Sequence, residues 1–250
     1  MNYKVLSLFP EMFEAVKSTS ILKKAIENNK IDIEVIDFRK FTKLNNKKVD
    51  DTIYGGGSGM LIAPQPIDDA VEYIKSNIPL GTTTKYVYMS PRGKKLTQEV
   101  AKKIVNDIDN LVILCGHYEG VDERVLRMHN FEELSIGDYV LTGGEIPSMV
   151  LIDSTARLVK GVINENSLIN ESFENDLLEH SQYTKPFEYK GMKVPEVLIS
   201  GHHQNIDEYR RKESIYITYK NRPDLIEKAI DSGKISRNEL EEIIKEGGNS

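Results

Sequence analysis

The stretch "CGHYEGVDERV", residues 115–125, is dense in groups able to do chemistry. Gly116 and Gly120 permit tight turns, and His117, Tyr118, Glu119, Asp122, Glu123 and Arg124 crowd around them. A carboxylate on a glycine-flanked turn, here Glu119, suits recognition of the amino and hydroxyl donors of a nucleoside. His117 reads either as a hydrogen-bonded surface histidine or as a ligand or base. Asp122, Glu123 and Arg124 read either as functional groups or as a charge-paired helix start.

Three more glycine-bearing turns bear on the same chemistry. "YGGGSGM" carries Gly55, Gly56, Gly57 and Gly59 but matches neither GxGxxG at a strand-to-helix turn nor GxxxxGK[ST]. A phosphate cradle, a plain surface loop, and close backbone approach to a flat ligand all stay open for it. "MSPRGKKL" places Ser90, Pro91 and Gly93 in a turn at the carboxyl end of a strand, which is also how an ordinary βα connection looks. "SIGDYVLTGGE" sets Gly137, Gly143 and Gly144 about an apolar segment holding Tyr139 and Leu141. It reads as a backbone loop wrapping an aromatic ring, or as a tight hairpin with Tyr139 in the core. His129, His180, His202 and His203 are scattered without metal-ligand spacing, so no resident metal is expected. Together these turns suggest a nucleoside-like cofactor held by backbone loops.

Such loops need rigid elements behind them. Short β-branched, leucine and aromatic runs predict strands at 5–9, 33–38, 86–89 and 111–115. Between them lie helical patterns at 12–27, broken near Ser18, and at 66–75, and one capped by Thr97 with Val100, Ile104 and Val105 on its apolar face. Strand and helix in alternation predict an α/β fold, a mostly parallel sheet with helices on both faces, whose ligand sites gather beyond the strands' carboxyl ends. A further helix runs from Gly144 through "IPSMVLIDSTARLV". Weak periodicity over 161–171 reads as a mobile linker or lid between a domain at 1–160 and a helical one at 172–250. In that helical part Asn205 with Glu208 reads as a capping pair, Pro223 as a helix start, and Ser236 with Glu239 as a capping box.

Composition narrows the class. In 250 residues, 39% hydrophobic and 29% charged content suits a soluble globular protein. The single cysteine, Cys115, excludes an internal disulfide and a cysteine-based zinc site, and its apolar setting "LVILCG" predicts a buried side chain rather than a reactive thiol. Apolar runs are too short for a membrane span, and the start turns acidic too early for a signal peptide, which makes the cytoplasm the default. A net charge of -6 speaks against a broad non-specific grip on nucleic acid, yet Arg210, Arg211 and Lys212 form a local basic cluster with Lys220 and Arg222.

In order along nearly the whole chain, "SLFPEMF", "YGGGSGM", "CGHYEGVDERV", "SIGDYVLTGGE", "NDLLEH" and "YTKP" resemble the bacterial tRNA (guanine-N1)-methyltransferases of the TrmD type. The resemblance implies a deep C-terminal trefoil knot of the SPOUT class in the sheet domain, followed by a small helical domain. It implies a homodimer with active sites at the subunit interface. The implied reaction moves a methyl group from S-adenosyl-L-methionine to N1 of the guanosine at tRNA position 37, itself preceded by guanosine. On this resemblance Tyr88, Ser90 and Pro91 line the adenosine side, Gly116, Tyr118 and Glu119 form a second wall, and Ile136, Gly137, Tyr139, Leu141, Gly143 and Gly144 hold the bent cofactor. Gly55, Gly56, Gly57 and Gly59 shape the target-guanine pocket, and Arg210, Arg211 and Lys212 meet tRNA phosphates.

Arg157 matches the family's catalytic-site arginine, expected to stabilise charge at guanine O6. Glu171, in "NESF", stands where the family writes aspartate, on a linker one residue shorter, and is expected to remove the N1 proton. His117 sits where some relatives carry arginine. The resemblance also suggests that Mg2+ assists transfer, although no carboxylate cage announces its position. Two alternatives stay open: another SPOUT-type RNA methyltransferase with a different target nucleotide, and a non-catalytic RNA-binding dimer.

Overall fold

The computed structural model of the chain describes residues 1–164, 167 and 171–247. The chain divides into two compact units, Met1–Ile163 and Asn164–Ser250. The first is built on five parallel strands, β1 (Asn2–Ser7), β2 (Asp32–Asp37), β5 (Thr84–Lys95), β6 (Asn110–Leu114) and β7 (Glu132–Ser135), in the order β2-β1-β6-β5-β7.

The central strand shows why this sheet forms. β6 reads "NLVIL" and is buried along its whole length, as a strand covered on both faces must be. Its alternation sends Leu111 and Ile113, with Cys115 beyond, to one face and Val112 and Leu114 to the other. The first face packs on α2 (Ser20–Glu27), α4 (Gln98–Asp107) and α6 (Glu145–Ala156) through Leu22, Ala25, Ile104, Leu151 and Ile152. The second packs on α3 (Pro64–Asn77) and α5 (Glu123–Met128) through Ile67, Val71, Ile74, Val125 and Leu126. Buried in the first face, the Tyr3 hydroxyl lies 3.0 Å from Thr155 Oγ1, which pins α6 to β1. Burial pushes that phenol well above its ordinary pKa.

Local signals explain several boundaries. The helix expected at 12–27 is split: α1 (Glu14–Ser18) stops where the Ser18 and Thr19 hydroxyls turn back to the Glu14 and Ala15 carbonyls, at 2.6 Å each. Thr97 caps α4 by accepting from Val100 N–H at 3.3 Å. The turn expected at Ser90, Pro91 and Gly93 does not end its strand. β5 bulges there and resumes beside β7 with a register shift between Met89 and Lys94. Gly93 permits this, because a Cβ on it would fall 2.4 Å from the Glu133 carbonyl carbon.

The polar run before the glycines forms a small antiparallel hairpin, β3 (Asp50–Thr52) with β4 (Met60–Ile62), and the glycine run is its tip. Residues 161–163, expected in a linker, instead stay with the sheet unit: Val162 packs against its core and Ile163 bridges to Lys160. Of the rest of that linker, 165, 166 and 168–170 lie outside the described residues.

The second unit carries α7 (His203–Asn221), α8 (Pro223–Asp231) and α9 (Arg237–Lys245) around Leu177, Ile215, Ile226, Ala229, Ile235 and Ile243. The Ser236–Glu239 capping box is present at α9. The Asn205–Glu208 cap is not: α7 begins two residues earlier, at His203, with no side-chain cap, so Asn205 lies inside the helix. Asp176 is nearly buried between the ammonium groups of Lys228 and Lys234, which hold its carboxyl below the ordinary aspartate range.

Candidate functional site: a cavity closed by three backbone loops

Because the strands are parallel, the chain leaves β1, β5, β6 and β7 at one edge of the sheet. Three loops there close on a cavity of 540 Å³, within the size range of small-ligand sites. Tyr88, Ser90 and Pro91 line it from the β5 bulge, and Gly116, Tyr118 and Glu119 from the turn after β6. Ile136, Gly137, Tyr139, Leu141, Gly143 and Gly144 line it from the loop between β7 and α6. Every residue expected at the cofactor thus faces one cavity.

Close backbone approach, rather than special dihedral angles, explains the glycines nearest the centre. Gly144 donates to the Gly116 carbonyl at 2.8 Å, and a Cβ on it would fall 2.6 Å from Cys115 Cα. On Gly116 a Cβ would meet the Tyr88 hydroxyl at 2.6 Å. Tyr139 is 55% exposed with its ring over Gly137, which removes the reading that puts it in the core. Gly144→Ala is expected to cost about 1–3 kcal/mol of stability by overpacking two backbones, and to weaken ligand binding in the cavity. Thermal melts and equilibrium binding of a nucleoside ligand read this, and unchanged values in both would show that the backbones separate freely.

Elsewhere the site residues fall as follows. Strand β4 of the hairpin is tied to the turn after β6: Glu119 N–H donates to the Met60 carbonyl and Ile62 N–H to the Gly120 carbonyl, both at 3.0 Å. A Cβ on Gly59 would meet the Glu119 carboxylate at 2.6 Å, whereas Gly55, Gly56 and Gly57 face open space and owe their identity to positive φ angles of 88°, 80° and 135°. Arg157 caps the end of α6, half-buried. Glu171 is half-buried in the second unit, just before a turn in which Phe173 N–H donates to the Leu177 carbonyl at 2.7 Å.

On α7 the basic cluster is not uniform. Arg211 bonds Glu239 Oε1 and the Lys234 carbonyl at 2.9 Å each, and Lys212 pairs with Glu246 at 3.1 Å. Arg210 is exposed and makes no ion pair among the described residues.

Electrostatics separate the reactive from the inert. Cys115 is fully buried with Sγ 3.1 Å from Ser148 Oγ, and burial, then the neighbouring Glu145 carboxylate, push its thiol far up. It is buried, as its apolar setting predicts. At the rim Arg92 is held by Glu133 at 2.7 Å and Glu123 at 3.3 Å. Among the described residues one group of three could hold a metal ion: Asp68, Glu72 and His129, with ligand atoms within 4.8 Å. None of them lines the cavity, and the Lys75 ammonium already bonds Glu72 at 2.8 Å and His129 Nδ1 at 3.0 Å. The group therefore does not fit a catalytic Mg2+.

Ser7, Arg92 and Glu145 escape a reading of the sequence, because their partners lie tens of residues away or more and no local spacing announces them.

Glycine-walled loops gathered beyond the carboxyl ends of a parallel sheet define an α/β protein with a cavity of small-ligand size walled largely by backbone. The chain belongs to the tRNA (guanine-1)-methyltransferase TrmD family, whose model matches residues 1–228. Similar curated proteins, each called tRNA (guanine-N(1)-)-methyltransferase, come from several bacteria. That of Caldicellulosiruptor saccharolyticus is 49% identical over 245 residues, covering 98% of this chain and 96% of its own. That of Caldanaerobacter subterraneus is 50% identical over 232 residues, 92% and 93% of the two chains. That of Geobacillus kaustophilus is 48% identical over 228 residues, 91% and 92%.

Proposed function

We propose that this protein methylates N1 of the guanosine at position 37 of tRNA, working as a homodimer in the cytoplasm. Family membership over 228 residues carries the coarser statement, that it is an S-adenosyl-L-methionine-dependent tRNA guanine-N1 methyltransferase. The relatives' names point to guanine N1 and away from another target nucleotide or a non-catalytic binder. The observation that carries the site assignment is the convergence of three loops, distant in sequence, on one nucleoside-sized cavity.

S-adenosyl-L-methionine supplies, when bound, a methyl group already made electrophilic by its sulfonium. The cavity fits it: glycine backbones approach too closely for side chains, and Tyr88, Tyr139 and Leu141 offer apolar surface. What remains for the chain is to raise the nucleophilicity of N1, which is poor while protonated. Glu171 takes the N1 proton, and Arg157 faces the charge that develops at O6. The rigid loops orient and exclude water, while the glycine tip of the β3–β4 hairpin receives the base.

Two further features belong to this reading. The trefoil knot is supported by the chain's return from the edge strand β7, past β5, to the Gly116 carbonyl at the end of β6. A homodimer is supported by an apolar groove between the α1–α2 segment and α6, where Ile21, Ile146 and Val150 stand exposed. No helix among the described residues is long and apolar enough to cross a membrane.

Labelled-methyl transfer to tRNA transcripts, on a sample whose sedimentation is recorded alongside, tests the whole reading. A species of twice the chain mass should methylate guanosine at position 37 after guanosine, and not adenosine there. Methylation of the adenosine transcript, or a monomer with full activity, would refute it.

A further inference from the structure

One buried carboxylate is left without a role in that mechanism. Glu145, the first residue of α6, is 1% exposed, and both its oxygens are engaged. Oε1 accepts from the Ser7 hydroxyl at 2.6 Å, and Oε2 lies 2.6 Å from His117 Nε2. Ser7 ends β1, His117 stands in the turn after β6, and Glu145 closes the loop after β7. Three segments far apart in sequence therefore meet on one side chain.

The surroundings are built for this contact. The Ser7 hydroxyl oxygen also accepts from Phe9 N–H at 2.9 Å, and the Phe9 ring meets the His117 ring edge-on at 4.8 Å. Arg39 stacks over Phe9 from outside, 6.0 Å from its centroid, and donates to the Leu8 carbonyl. A Cβ on Gly143 would fall 2.3 Å from the His117 ring, so glycine there makes room for the imidazole. His117 and Gly143 both line the cavity, while Glu145 stands behind them.

We infer that Glu145 is a positioning residue: it sets the tautomer of His117 and, through that ring, the separation of the two loops that hold the cofactor. This rests on the methyltransferase reading for the ligand's identity, but the geometry of the clamp is independent of it. A carboxylate with both oxygens accepting requires a proton on His117 Nε2, which leaves Nδ1 as the ring's acceptor in the neutral form. Glutamine cannot reproduce this. Its single oxygen serves either Ser7 or His117, and its amide must donate to the other. Either the imidazole changes tautomer or the Ser7 proton loses its partner.

The experiment uses the full-length protein and Glu145→Gln. Imidazole 15N spectra of the ligand-free protein should show His117 protonated at Nε2 in the wild type and at Nδ1, or mixed, in the variant. The dissociation constant for S-adenosyl-L-methionine should rise about tenfold or more, the scale of one lost hydrogen bond to a charged group. The single-turnover rate at saturating cofactor should stay within about threefold, because the reacting groups are untouched. Ser7→Ala, which keeps the His117 contact, should raise the dissociation constant in the same direction by less and leave the His117 spectrum as in the wild type. That milder variant also serves if Glu145→Gln does not fold.

An unchanged tautomer together with unchanged affinity in Glu145→Gln overturns the proposal. So does a rate that falls in step with affinity and melting temperature, which a purely structural role would give. Wild-type protein that shows the Nε2 proton but binds no S-adenosyl-L-methionine would refute the methyltransferase reading and leave the clamp standing.

Discussion

Glu171→Gln is expected to lower single-turnover methyl transfer by about a hundredfold to ten-thousandfold, with S-adenosyl-L-methionine affinity changed by less than about twofold. Glutamine keeps the size and the hydrogen-bonding oxygen of glutamate but takes up no proton near neutral pH. Glu171 does not line the cavity, so binding there should survive. Rapid-quench transfer to tRNA and a cofactor titration on the same sample separate the two quantities. A loss of transfer smaller than about tenfold would take the proton-accepting role away from Glu171.

The position makes the test informative beyond a simple knockout. Glu171→Asp keeps the carboxylate but withdraws it by one methylene. If the reach of glutamate matters, the aspartate variant should be slower than the wild type. An equal or faster aspartate variant would show that the segment adapts by itself.

Arg157→Ala is expected to reduce transfer by about a hundredfold to a thousandfold, as removal of a donor facing developing negative charge does elsewhere. A competing effect must be separated from it. Arg157 ends α6, where a cation also favours the helix dipole, so alanine there is expected to cost about 0.3–1 kcal/mol of stability as well. Arg157→Lys keeps the helix-end charge but not the planar fork. Melting near the wild type with transfer still strongly reduced would assign the loss to O6. Unchanged transfer in the alanine variant, with normal tRNA affinity, would remove the assignment.

The parts of this fold that were legible in sequence are those with local causes. β6 declares itself by a continuous apolar run, the break after α1 by two consecutive hydroxyl residues, and the caps at Thr97 and Ser236 by their spacing. β7 is harder: "EELS" is four residues long, and only its last two are fully buried, so periodicity has nothing to count. The strands of the glycine hairpin, three residues each, are held by pairing with each other and by the turn at Gly120, which is tertiary information.

The cavity walls were named through resemblance; spacing alone left each loop with an ordinary alternative. Glu145 illustrates the limit most plainly. It looks like any acidic residue in a first helical turn until Ser7, 138 positions earlier, is found donating to it.

The backbone bonds between the glycine hairpin and the turn carrying Glu119 have a thermodynamic corollary. Two ligands whose seats share hydrogen bonds cannot order them independently, so conformational freedom surrendered to the first is not surrendered again to the second. On the proposed function, occupancy of the cavity and arrival of RNA at the hairpin should reinforce each other, by the same factor whichever comes first.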